Sequence, residues 1–255
     1  MKRIILTGIL ALAAGAAGLL AQAPAASKGP APKSKAEQDA LVAMLNSQGN
    51  PDAAIKAADE LLTKFADTDY KETAYYMEAD AYHSKRDDTK AQIFGEKALE
   101  ANPKSYQASV LLAEIVAQST RENDLDKEEK LAKSEKYAKD SIDFVQSAVK
   151  PNPQIPDAQW DEFKKGIVAR AHNAIGLGNL TRKKYDTAAA EFKAAADADP
   201  QPAYVVRQAS ALQAGGKNDE AIALCDKLLA DANLHPMIKQ VAQQVRAAAV
   251  KAGGK

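Results

Sequence analysis

The residues of this chain that could do chemistry are few, and their spacing suits none of the common reactions. His83, His172 and His235 lie far apart with no partner at metal-ligand spacing, and no HExxH arrangement is present. GLGN at 176–179 lacks the third glycine and the preceding strand that let a backbone approach a dinucleotide pyrophosphate. AGGKND has no glycine at phosphate-loop distance before Lys217 and no serine or threonine after it, so it reads as a turn. NDLDKEE offers carboxylates without the glycine at the sharp bend of a calcium loop, and reads as solvated charge. Cys225 is the only cysteine, so no intramolecular disulfide can form. Its place in an apolar stripe predicts a small buried side chain rather than a reactive thiol. The single tryptophan, Trp160, is expected in a core contact. No catalytic residue, metal ligand or cofactor is expected.

The elements that carry these residues are helical hairpins. In residues 172–200, Ile175 and Gly176 share one face of a first helix; after a basic turn, Tyr185 leads into a second, where Ala188, Phe192 and Ala195 recur at steps of four and three before Pro200. Such a hairpin cannot bury its apolar face alone and needs stacked neighbours. Tyr75, Ala79, Tyr82, Ala91, Ala98, Leu99 and Pro103 repeat the pattern, with Gly95 in the place of Phe192. Val205, Ala209, Leu212, Gly216, Ala221, Cys225 and Leu228 repeat it again, with Cys225 in that place. A more degenerate copy holds Leu41, Val42, Leu45, Gly49, Ala54, Ala58, Leu61 and Leu62.

The order Ile-Gly, Tyr, Ala, Phe, Ala, Pro at a period near 34 resembles the tetratricopeptide repeat, and the resemblance covers residues 36–234. It implies an all-α, right-handed helical-hairpin solenoid of about five repeats. The hairpins would fall at about 37–68, 70–103, 104–149, 157–200 and 203–234, with a capping helix at 236–251. Composition agrees, since no run of alternating β-branched residues suggests a sheet.

The third hairpin departs from the period. Leu112, Ala113 and Val116 mark its first helix, but the second is readable only at KSEKYAKDSIDFV, after the charged run STRENDLDKEEK, an insertion of about nine residues against the repeat length. That second helix is expected to run towards Val149, where PNPQIP ends it. The next helix then starts early, at Asp157, with Trp160, Phe163, Ile167, Ala171 and Ala174 on one face. Trp160 and Phe163 are expected to pack on Val145 and Val149.

Residues 1–25 read as a signal peptide: Lys2 and Arg3, an uncharged stretch from Ile4 to Leu20, then small residues with cleavage expected between Ala21 and Ala26. The apolar stretch is short for a membrane span, and with no cysteine near the cleavage region a lipoprotein is excluded. Residues 26–36 read as a flexible linker. These readings predict a periplasmic or secreted protein with no stable membrane span after processing. Lys+Arg and Asp+Glu both number 34, with no basic stripe, which argues against a nucleic acid partner.

The resemblance implies a non-catalytic scaffold binding a protein or peptide segment. First helices line the concave side of such arrays, so the expected partner-binding residues are Tyr76, Asp80 and His83; Gln107, Glu114 and Gln118; and Arg170, Asn173, Leu177 and Leu180. Leu177 or Tyr76 would be the apolar anchor. Relatives that grip a terminal carboxylate use lysine, arginine and asparagine from successive first helices, whereas here only Arg170 and Asn173 fit, both from one helix. The alternative readings are a self-associating structural subunit of an envelope complex, and an accessory enzyme with a site near 119–165.

Overall fold

The structure is a computed structural model and describes residues 30–253, so the expected signal peptide lies outside the described residues. Among these residues every regular element is an α-helix: α1 Lys35–Asn46, α2 Pro51–Lys64, α3 Lys71–Ser84, α4 Asp88–Ala101, α5 Tyr106–Ser119, α6 Lys127–Ser147, α7 Asp157–Thr181, α8 Tyr185–Ala198, α9 Pro202–Ala214, α10 Asn218–Leu229 and α11 Pro236–Gly253. They form two compact units. The first holds α1 to α4 and residues 148–163; the second holds residues 104–147 and the chain from Lys164 onward.

Local sequence sets where the helices begin. Ser34, Asn50, Asp87 and Ser105 each accept a hydrogen bond from the backbone N–H three residues on, satisfying a donor that the helix leaves unpaired. Four hairpin turns share one device: the residue two places before the second helix has a left-handed backbone. It is Gly49 or Gly216, with φ of +87° and +80°, but Arg86 and Lys183 elsewhere, with φ of 62° and 60°. Glycine adopts this conformation without steric cost, whereas a side chain there is strained.

In the first unit, Leu41, Met44, Ala58, Leu61, Tyr70, Ala74, Met77 and Ala81 are buried together. Met44 was absent from the sequence pattern, while Val42, which was in it, is half exposed. The described part of the expected flexible linker is tied down. The Tyr70 hydroxyl donates to the Pro30 carbonyl at 2.9 Å, and the buried Glu37 carboxylate accepts from Lys33 N–H and from the Thr68 hydroxyl, each at 2.6 Å. Here a carboxylate with two donors replaces the packing pattern that the sequence lacks.

In the second unit, Gly176 was expected to face Ala188 across the hairpin, but the side chain nearest to it is Phe192. A Cβ there would stand 2.6 Å from Phe192 Cε1, and the fully buried Phe192 ring packs in one cluster with Ala188, Ala211, Leu212, Ala221 and Ala249. Cys225 is buried with Val206, Ala209, Leu228, Leu234 and Ala242, and α11 packs on α9 and α10. The charged insertion is shorter than expected: α6 begins at Lys127, so KEEK is helical. Glu128 and Glu129 suit the positive end of the helix dipole, and Leu131 is buried. Arg182 donates to Glu128 at 2.9 Å and to Glu135 at 3.3 Å, tying α6 to the turn after α7.

The packing at residues 145–163 also differs from the expectation. Helix α6 stops at Ser147, and Val149 is 88% exposed, so no aromatic ring covers it. Trp160 instead stacks on Phe163, with ring centroids 5.3 Å apart. Their spacing of three puts both rings on one side of the same helix.

Candidate functional site

The expected binding residues fall into two groups, one in each unit. In the first unit, Tyr76 and Asp80 are half-buried on α3, one helical turn apart. His83 does not point away from the second helix as expected: its Nδ1 lies 2.8 Å from Asp88 Oδ1 in the first turn of α4. On the same hairpin Tyr82 stacks on Phe94 with centroids 5.3 Å apart. Lys90 lies over the Tyr82 ring at 5.0 Å, and Lys97 lies over Phe94 at 4.7 Å.

In the second unit, Gln107, Glu114 and Gln118 lie on α5, and Arg170, Asn173, Leu177 and Leu180 on α7. Two of these meet across the hairpins. Arg170 Nε donates to both Glu114 carboxylate oxygens at 3.1 Å, and Nη2 adds a further bond to Oε2. The side chains are only 29% and 14% exposed, so this pair is partly shielded from solvent. Asn173 does not stand open to a partner as expected. It is 3% exposed, and its side-chain oxygen accepts from Arg207 Nη1 on α9. It therefore positions Arg207 rather than meeting a partner itself.

Two residues of this face, Tyr204 and Arg207, were not anticipated. Tyr204 is buried at the start of α9, and its hydroxyl is pushed up to about 12, chiefly by burial and then by the Glu114 and Asp199 carboxylates, with Arg170 and Arg207 pulling the other way. It stays a neutral hydroxyl, able to donate and accept, at any physiological pH. Glu114, Arg170, Asn173, Tyr204 and Arg207 thus form one polar cluster from the first helices of three successive hairpins. Arg207 follows Asn173 by 34 residues, one repeat length, which is the signal that could have found it. Half-buried Leu177 and Leu180 lie further along α7, on the apolar cluster around Phe192. The arrangement can hold a chain segment by fixed hydrogen-bonding groups beside an apolar strip. Among the described residues no group of three or more His, Cys, Asp or Glu side chains is placed to hold a metal ion.

No protein-family model matches the sequence, and no curated protein matches it. Solved structures do match. TTC0263, a tetratricopeptide-repeat protein of Thermus thermophilus, is 20% identical with a TM-score of 0.55, covering 84% of this chain and 99% of its own. PilF of Pseudomonas aeruginosa is 14% identical with a TM-score of 0.56, covering 86% of this chain and 89% of its own. With the helical hairpins, the small-residue contact at Gly176 and the shared turn geometry, these likenesses establish that the chain has the tetratricopeptide-repeat fold.

Proposed function

We propose that the protein is a non-catalytic interaction scaffold of the cell envelope, holding a segment of a partner protein against the first helices of its hairpins. The observation that carries this reading is the cluster of Glu114, Arg170, Asn173, Tyr204 and Arg207. Glu114 holds Arg170 across α5 and α7, and Asn173 holds Arg207 across α7 and α9, so a partner would not have to pay for ordering the two arginines. Arginine is among the types that most often dominate binding energy, and Arg170 and Arg207 are only half-buried. Leu177 and Leu180 supply an apolar anchor beside them. Tyr76 and Asp80 on α3 form a separate candidate contact in the first unit.

The envelope location is supported by the charged start, apolar middle and small-residue end of residues 1–26. N-terminal sequencing of the protein from an envelope fraction should find a chain beginning between Gln22 and Ser27; an intact Met1 on a cytosolic species would refute export. The binding reading is tested by capturing partners on the mature protein and titrating the recovered partner against variants. Arg207→Ala and Leu177→Ala should each weaken binding about tenfold or more, and Lys193→Ala, at an exposed position on α8, should not. Equal affinity for all three would place the site elsewhere.

A further inference from the structure

Glu78 is the residue that the packing of the first unit leaves unexplained. It directly precedes Ala79 on α3, the place that Leu112 holds before Ala113 and Ile175 before Gly176. It is 0% exposed, neither of its carboxylate oxygens makes a hydrogen bond of ordinary length and angle, and the Asp59 carboxyl is close enough to favour a proton held between the two. A charge without a partner or water is strongly disfavoured in such a place. Helix α3 packs on α2 and α4, and each brings one charged group to bear on Glu78: Asp59 from α2 and Lys97 from α4. Asp59 makes ionisation harder. Lys97 would help, but its ammonium lies over the rings of Phe94 and Tyr75, at 4.7 and 5.6 Å. With no exposed surface at Glu78, the species that can neutralise it in place is a proton.

We infer that Glu78 is a proton-operated switch in the first unit, closing the packing of α2, α3 and α4 when its carboxyl is protonated and opening it when the carboxyl ionises. In the closed state the carboxyl is pushed from the ordinary 4.5 up to about 8, by burial first and then by Asp59. An opened state, in which water reaches it, returns it to the ordinary value. Between those values the closed state binds a proton that the open state has lost, so opening becomes more favourable as pH rises.

The test uses the mature full-length protein. A 13C-detected titration of the wild-type Glu78 carboxyl should give a midpoint above neutrality, and one with the surface glutamates would overturn the inference. Hydrogen-exchange protection factors of α2 and α3 amides should fall about tenfold per pH unit between roughly pH 5 and 8, while those of α8 to α10 hold steady. Glu78→Leu, which restores the residue type of the third hairpin, and the isosteric Glu78→Gln should both abolish that slope. A slope that persists in both variants, or one shared equally by α8 to α10, would refute the switch.

Discussion

Two glycines ten residues apart on α7 should respond to the same substitution in opposite directions. A Cβ added to Gly176 would lie 2.6, 2.8 and 3.0 Å from Cε1, Cδ1 and Cζ of Phe192. Carbon atoms rest comfortably at about 3.5–4.0 Å, so the ring or the helix must retreat by about 1 Å. Phe192 is fully buried among Ala188, Ala211, Leu212 and Ala221 and has nowhere to go. Overpacking of this kind costs about 1–3 kcal/mol, against a gain of about 1 kcal/mol from replacing glycine by alanine in a helix. Gly176→Ala should therefore destabilise by up to about 2 kcal/mol, and Gly176→Leu by more. A Cβ at Gly166 would meet nothing within 4 Å, so Gly166→Ala keeps only the favourable part and should stabilise by about 0.5–1 kcal/mol. Urea denaturation followed by circular dichroism reads both as shifts of midpoint at constant slope. The combined variant Gly176→Ala with Phe192→Leu should lose less than the sum of its parts, because the shortened side chain vacates the space that the methyl needs. Equal midpoint shifts for Gly166→Ala and Gly176→Ala, or strict additivity with Phe192→Leu, would refute the contact.

Glu78→Leu should raise stability at pH 7 by about 2–3 kcal/mol. The folded-state value near 8 against an unfolded value near 4.5 means that wild-type stability falls as pH rises through that window, and thermal denaturation from pH 5 to 9 should show a flatter profile in the variant. Arg170→Ala leaves the mostly buried Glu114 carboxylate without its bidentate partner, and should cost about 1–3 kcal/mol in chemical denaturation; Glu114→Gln combined with it should recover part of that loss. Arg86→Gly relieves a left-handed backbone at φ 62° and should stabilise by about 1 kcal/mol, measured as an upward shift of the midpoint; no shift would mean that the turn carries no strain.

The helical hairpins and their repetition are legible in the residue spacing alone. Ala188, Phe192 and Ala195 recur at helical spacing, and all three are buried. The small residue Gly176, set against that stripe, pointed to a close approach to Ala188, whereas the structure brings the Phe192 ring against it. Cys225 could be foreseen as buried from the place it shares with Phe192. These are properties of one helix and its immediate partner, and periodicity reports the direction in which each side chain leaves its own axis. What a side chain meets in that direction was settled only by tertiary structure. Asn173 left its helix where a binding residue was expected, yet Arg207 reaches it from the next hairpin. His83 is turned to Asp88, Val149 is left exposed beyond the end of α6, and the charges of the insertion became the first turn of that helix. Glu78 sits in an apolar stripe where its type gave no sign of burial, and its consequence depends on Asp59 and Lys97 arriving from two other helices. The stripe is fixed by local backbone geometry, but the electrostatics within it depend on distances between groups far apart in the chain, which only packing brings together.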